Sequence, residues 1–255
     1  MFSNINITSL ILSLPVILLA LSVHEASHGF VADKLGDPTA KNMGRLTLNP
    51  LKHIDIFGFM CMLLFRFGWA KPVPVNSRYF KKPRRDMAIT AAAGPISNVL
   101  LSLVFAGLLR LDLLAMEHFF TEDVLHAIDR MNGYVAEVSM GFNMMCILTY
   151  ILYLGVILNI SLAVFNMIPI PPFDGSRLAY IFVPQKLYYK IVQYERYIMI
   201  AILLIPWFTP FLSGLVSLAT EGLSSLIMWI FGVSGGNAPE TLLNISLGYL
   251  LSFLF

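Results

Sequence analysis

Apolar residues in this chain do not alternate with polar ones. They run in long blocks. Residues 1–23 carry no charge, and three later windows, 87–109, 138–173 and 197–220, contain no Asp, Glu, Lys or Arg. Each is long enough for a helix that crosses the hydrocarbon core, which takes about 20 residues. Two weaker candidates follow, 222–239 with its Ser-Gly-Gly-Asn and the short 241–255. The run 54–65 is apolar but too short to span, which predicts a re-entrant or interfacial segment. The pattern predicts an all-α polytopic membrane protein of about 4–6 transmembrane helices with a re-entrant or strand-like segment. No internal repeat interrupts it.

Composition agrees. Of 255 residues, 57% are hydrophobic and 13% charged, about half the charged share of soluble domains. The mean hydropathy is +0.75. These values exclude a disordered chain, a nucleic-acid-binding protein and an ordinary cytosolic domain. Cys61 and Cys146 sit apart in apolar runs and read as small buried hydrophobes. The uncharged N-terminus lacks the positive region of a secretory signal peptide, so the first block is expected to stay as a membrane helix.

Charge supplies the orientation. Of the 17 Lys and Arg residues, 15 fall in the segments 33–53, 66–86 and 174–196. Segment 112–139 holds Asp112, Glu117, Glu122, Asp123, Asp129 and Glu137 against Arg130. Positive segments stay in the cytoplasm. If 54–65 does not cross, all three basic segments face the cytoplasm and the N-terminus lies outside.

The first block ends in His24-Glu25-Ala26-Ser27-His28. Histidines at i and i+4 share one helix face and can reach one metal ion. The glutamate between them can take a proton from water. Ionisable groups are costly at the end of an apolar helix, and such groups are functional by default. A hydrolytic zinc site needs a third protein ligand. A nearby downstream glutamate is ruled out, because the next one is Glu117. Val31 and Lys34 stand where a metzincin needs Gly and His. His118 and His126 lie in the acidic segment, on the predicted far side, and read as surface residues.

The remaining candidate is distant. Window 138–173 ends Asn166-Met167-Ile168-Pro169-Ile170-Pro171-Pro172-Phe173-Asp174-Gly175. Three prolines in four positions cannot continue a helix. A helix over roughly 140–165 is expected to break into an extended stretch that presents Asp174 on a non-helical arm, on the same side as His24 and His28. The alternative is a simple turn into a cytoplasmic loop.

With both motifs in order, the chain resembles the site-2 proteases, intramembrane zinc metalloproteases. The resemblance covers about residues 15–185. It implies one Zn2+ per chain held by His24, His28 and Asp174, with Glu25 as general base. It implies further that Asn166 helps hold the substrate or the developing oxyanion. Gly44-Arg45-Leu46-Thr47-Leu48-Asn49-Pro50 with His53, Ile54 and Asp55, Gly68-Trp69-Ala70-Lys71-Pro72-Val73-Pro74-Val75-Asn76, and Gly94-Pro95-Ile96-Ser97-Asn98 are similar to other family segments. His53 and Asp55 read either as a second polar layer or as loop residues. The Pro-rich arm and 54–65 are candidate strand-like edges for an unwound substrate. No polar insertion of PDZ size is present, which implies a minimal member.

The expected organisation is a protease core over 1–185 and C-terminal transmembrane helices over 186–255, without a separate soluble domain. The expected partners are the lipid bilayer and a transmembrane protein or peptide substrate, and no nucleic acid. A bacterial inner membrane follows by analogy. A membrane metal-ion transporter is the alternative. It predicts ionisable residues within 87–109 and 138–173, which hold none, and a repeat between halves. A catalytically dead scaffold would be expected to have lost a ligand or the base, and all four residues are intact. No G-x-S-G or G-x-G-D motif points to another class of intramembrane protease.

Overall fold

The computed structural model describes residues 7–65, 69–132, 137–195, 197–198, 208–235 and 238–254. They form an all-α protein. Three helices among them are long and apolar enough to cross a membrane: α1 (Ile7–Lys34), α4 (Pro83–Phe119) and α6 (Met140–Asn166). Short helices lie between them: α2 (Thr39–Asn42), α3 (Ile56–Phe65) and α5 (Thr121–Met131). After α6 come α7 (Asp174–Ala179), α8 (Gln185–Val192), α9 (Phe208–Ile230) and α10 (Ala238–Leu254).

The long helices satisfy their polar groups internally, as a spanning element must. In α1 the hydroxyls of Ser13, Ser22 and Ser27 donate to the carbonyls of Leu10, Leu18 and Val23. In α4 Thr90 and Ser97 donate to Asp86 and Gly94. The buried positions Ala20, His24, His28 and Ala32 repeat every four residues of α1. One stripe of that helix therefore turns both histidines away from the surrounding solvent.

The chain divides into two compact units. The first comprises 1–16, 101–160 and 220–255. Its core holds Leu109, Leu113 and Met116 of α4, Phe142 and Cys146 of α6, and Leu242, Leu243, Tyr249 and Leu250 of α10. Within it Thr149 donates to the buried Asp112 carboxylate at 2.6 Å, and Tyr249 to Asn143 Oδ1 at 2.9 Å. The second unit comprises 17–100 and 161–219 and contains both sequence motifs.

Several expectations are corrected. No strand occurs among the described residues; a single antiparallel bridge joins Ile54 and Ala70. Residues 56–65 form a helix and do not present a strand edge. The run is rich in Phe, Met and Leu, and Asp55 caps its start by accepting from the Gly58 N–H at 2.8 Å. The stretch after α6 is not extended. It folds into successive turns, with the Ile170 N–H donating to the Ile168 carbonyl and that of Phe173 to Ile170. Asp174 opens a helix instead of ending an arm. The helix α9 runs across Glu221, the residue that divided two windows, because a glutamate ends a charge-free window but not a helix. Residues 199–207 of the expected span 197–220 lie outside the described residues, as do Arg66 and Gly68.

Candidate active site

The helix α1 places His24 and His28 one turn apart, with ring centroids 4.7 Å from each other. Each ring is fixed from behind. His24 Nδ1 donates to Asn98 Oδ1 at 2.6 Å, and Asn98 Nδ2 donates to the Ala20 carbonyl at 3.2 Å, which settles the amide orientation. His28 Nδ1 donates to the Thr90 carbonyl at 2.7 Å. Both Nδ1 atoms face acceptors, so both carry the proton, and each Nε2 of a neutral ring is left with a lone pair.

Those lone pairs converge. Asp174 Oδ2 lies 3.0 Å from His24 Nε2 and 3.1 Å from His28 Nε2, and the two nitrogens are 3.1 Å apart. Three acceptors at that spacing repel one another unless a cation sits among them. Tetrahedral zinc with bonds of about 2.0 Å separates its ligands by about 3.3 Å. The triangle is within a few tenths of an ångström of that size, and the residues fit a zinc ion.

Two glycines permit this packing. A Cβ on Gly94 of α4 would lie 2.5 Å from His28 Nε2 and 2.6 Å from His24 Nε2. A Cβ on Gly175 would lie 2.2 Å from the Met167 carbonyl oxygen. Only a residue without a side chain lets the turns after α6 fold back and start α7 at Asp174.

Glu25 Oε2 accepts from the Val73 N–H at 2.8 Å. Val73 belongs to an irregular strip, 69–76, tied down at several points. The Lys71 N–H donates to the His53 carbonyl at 2.8 Å. The buried Arg45 donates to the carbonyls of Lys71 at 2.7 Å and Pro72 at 3.4 Å. The Asn76 N–H donates to Asp37 at 2.6 Å. A cavity of about 120 Å³ opens among these groups, lined by His24, Glu25, His28, Asn166, Asp174 and Arg177. Asn166 Nδ2 donates to the Leu162 carbonyl at 2.9 Å. The second hydrogen of that amide and the Oδ1 atom remain for the cavity.

The sequence-predicted His24, Glu25, His28, Asn166 and Asp174 thus line one cavity. His118 and His126 are exposed and lie outside it. His53 is buried, and Asp55 caps α3.

The comparisons with known proteins agree with this geometry. The sequence profile of peptidase family M50 matches residues 12–206. The chain belongs to peptidase family M50. It is an intramembrane zinc metalloprotease of the site-2 type, and the transporter alternative falls away. Among curated relatives, it is 39% identical over 189 residues to YwhC of Bacillus subtilis (strain 168), named as a candidate zinc metalloprotease; the match covers 74% of this chain and 77% of that protein. It is 28% identical to Rip2 of Mycolicibacterium smegmatis, also named as a candidate zinc metalloprotease, over 62% of this chain and 52% of that protein. No solved structure matches.

Within this M50 site, sequence reading gave no role to Asn98, Thr90, Gly94, Arg45 or Val73. Gly94 and Asn98 stand in a quoted motif, and a Gly-Pro inside an apolar window signals close packing. Thr90 and Val73 act through backbone atoms, which leave no residue-specific signal.

Proposed function

We infer that the protein cleaves peptide bonds in transmembrane or membrane-associated segments of other proteins, near the cytoplasmic face of the bilayer. Regulated intramembrane proteolysis and the clearance of leftover signal peptides are the two settings that suit this chemistry. The observation that carries the reading is the convergence of His24 Nε2, His28 Nε2 and Asp174 Oδ2 beside Glu25.

His24, His28 and Asp174 would hold one zinc ion, which would supply Lewis acidity toward a water and a carbonyl. Glu25 takes the proton from the attacking water and passes it to the leaving amine. The Val73 N–H anchors one oxygen of Glu25, and Glu25 lines the cavity. Asn166 donates a hydrogen bond to the oxyanion that develops on the scissile carbonyl, an interaction worth about 2.7–4 kcal/mol in other hydrolases. A helical substrate has to unwind first, because its own hydrogen bonds cover the scissile carbonyl.

The organisation we assign is a protease core over 1–185, C-terminal membrane helices over 186–255 and four to six crossings in all, with 54–65 in the membrane interface. The basic segments 33–53, 66–86 and 174–196 support an outside N-terminus and a site near the cytoplasm of a bacterial inner membrane. The test is cleavage of a fluorescent transmembrane reporter in liposomes by the zinc-loaded protein. Glu25→Gln is expected to lose 100-fold or more of the rate, about the contribution of a general base, and to keep its zinc. Cleavage at the wild-type rate by Glu25→Gln contradicts the assignment.

A further inference from the structure

A second cavity, of about 270 Å³, shares three elements with the catalytic one. On α1 it is lined by Leu18, Leu21 and Ser22, the last within one turn of Glu25. On the 69–76 strip it is lined by Trp69 and Ala70, just before Pro72. On α6 it is lined by Leu162 and Phe165, and Phe165 adjoins Asn166. The segment from Pro50 to Phe59 closes it.

The wall is apolar apart from three residues. Two are engaged within their own elements: Ser22 Oγ donates to the Leu18 carbonyl at 2.6 Å, and Asp55 Oδ1 accepts from the Gly58 N–H. The third is His53, only 2% exposed. Its Nε2 donates to the Thr47 carbonyl at 2.8 Å, which leaves Nδ1 as a lone-pair acceptor. That buried nitrogen has no partner. Buried polar atoms are rarely left that way, and each exception asks for an explanation.

We propose that this cavity is a substrate subsite, which takes one large apolar side chain while His53 Nδ1 accepts a hydrogen bond from a backbone N–H of the unwound substrate. The proposal rests on the metalloprotease reading. From Leu21 to Glu25 the helix rises about 6 Å. An extended peptide advances about 3.3 Å per residue, so the side chain belongs about two residues from the scissile bond. A lipid tail would fill the apolar part but offers nothing to His53. A peptide supplies both the side chain and the N–H. Segments that span membranes are rich in Leu and Phe, the side chains such a cavity accommodates.

The test uses the zinc-loaded full chain in detergent and tripeptide hydroxamates, which anchor on the metal. One ligand is all alanine; three others carry leucine at each position in turn. Binding is read by calorimetry. Leucine at the second position is expected to tighten binding tenfold or more, within the range set by a few methylenes in a fitted pocket. Leu18→Trp is expected to remove that gain and to leave zinc content unchanged. Phe59→Ala, an independent variant, is expected to shift preference from leucine toward naphthylalanine. Methylating the nearby amide nitrogen is expected to weaken binding to the wild type about tenfold, and His53→Phe to be insensitive to it. No gain from leucine at any position overturns the subsite, as does a gain that survives Leu18→Trp or an N-methyl penalty that survives His53→Phe. Failure of the all-alanine hydroxamate to bind zinc-loaded wild type would instead overturn the metalloprotease reading beneath it.

Discussion

Alanine at position 94 puts a methyl group where the two histidine nitrogens meet. Its Cβ would lie 2.5 Å from His28 Nε2 and 2.6 Å from His24 Nε2. Carbon and nitrogen atoms in ordinary contact are about 3.5 Å apart, so the rings have to retreat by about 1 Å. They are not free to do so, because Asn98 and the Thr90 carbonyl hold them at 2.6 and 2.7 Å. Metal–ligand distances tolerate about 0.2 Å. A 1 Å misplacement in a catalytic site costs about 100-fold in rate. Gly94→Ala is therefore expected to lose most of its zinc and at least about 100-fold of its cleavage rate. The helix itself should gain, since Ala is favoured over Gly in helices by about 0.5–1 kcal/mol. Zinc by atomic emission, reporter cleavage and thermal unfolding of the metal-free protein separate these effects. The matched control is Gly222→Ala, where a Cβ meets nothing within 4 Å. A Gly94→Ala protein with one zinc per chain and wild-type cleavage would refute the reasoning.

Asn98→Ala removes the acceptor that fixes the His24 ring, and zinc affinity is expected to fall about 10–100-fold; competition with a chelator measures this, and excess zinc should restore cleavage. Arg45→Met leaves the Lys71 and Pro72 carbonyls without their charged donor. The loss is about 1.5–3 kcal/mol per charged bond, and freeing the strip that holds Glu25 should lower kcat while zinc content stays at one. A fall in zinc content of Arg45→Met equal to its fall in kcat would place the arginine at the metal instead.

The long helices, and the five residues that come to line one cavity, were legible through local signals: charge-free windows, two histidines four apart, and a proline cluster that ends α6. The direction of Asp174 was legible only through topology, and its helix was missed. Prolines forbid continuation of α6 but do not say whether the chain extends or turns. That depends on Gly175 packing against the Met167 carbonyl, a contact between residues whose identities carry no periodic pattern. The segment 56–65 was ambiguous for a similar reason, since a short apolar run suits a helix or a buried strand equally. Its cap, Asp55 on the Gly58 N–H, decides for the helix. Asn98 shows the third kind of gap. A polar residue in an apolar window announces a role, but only the fold reveals that its partner is 74 residues away.

The central claim is that residues 146 positions apart form one metal centre. Zinc content of the purified protein, wild type beside Asp174→Ala, tests it most directly. About one zinc per chain is expected in the wild type and a sharp loss in the variant, with the fold retained. A variant that keeps its full zinc, or a wild type that binds little, would contradict it.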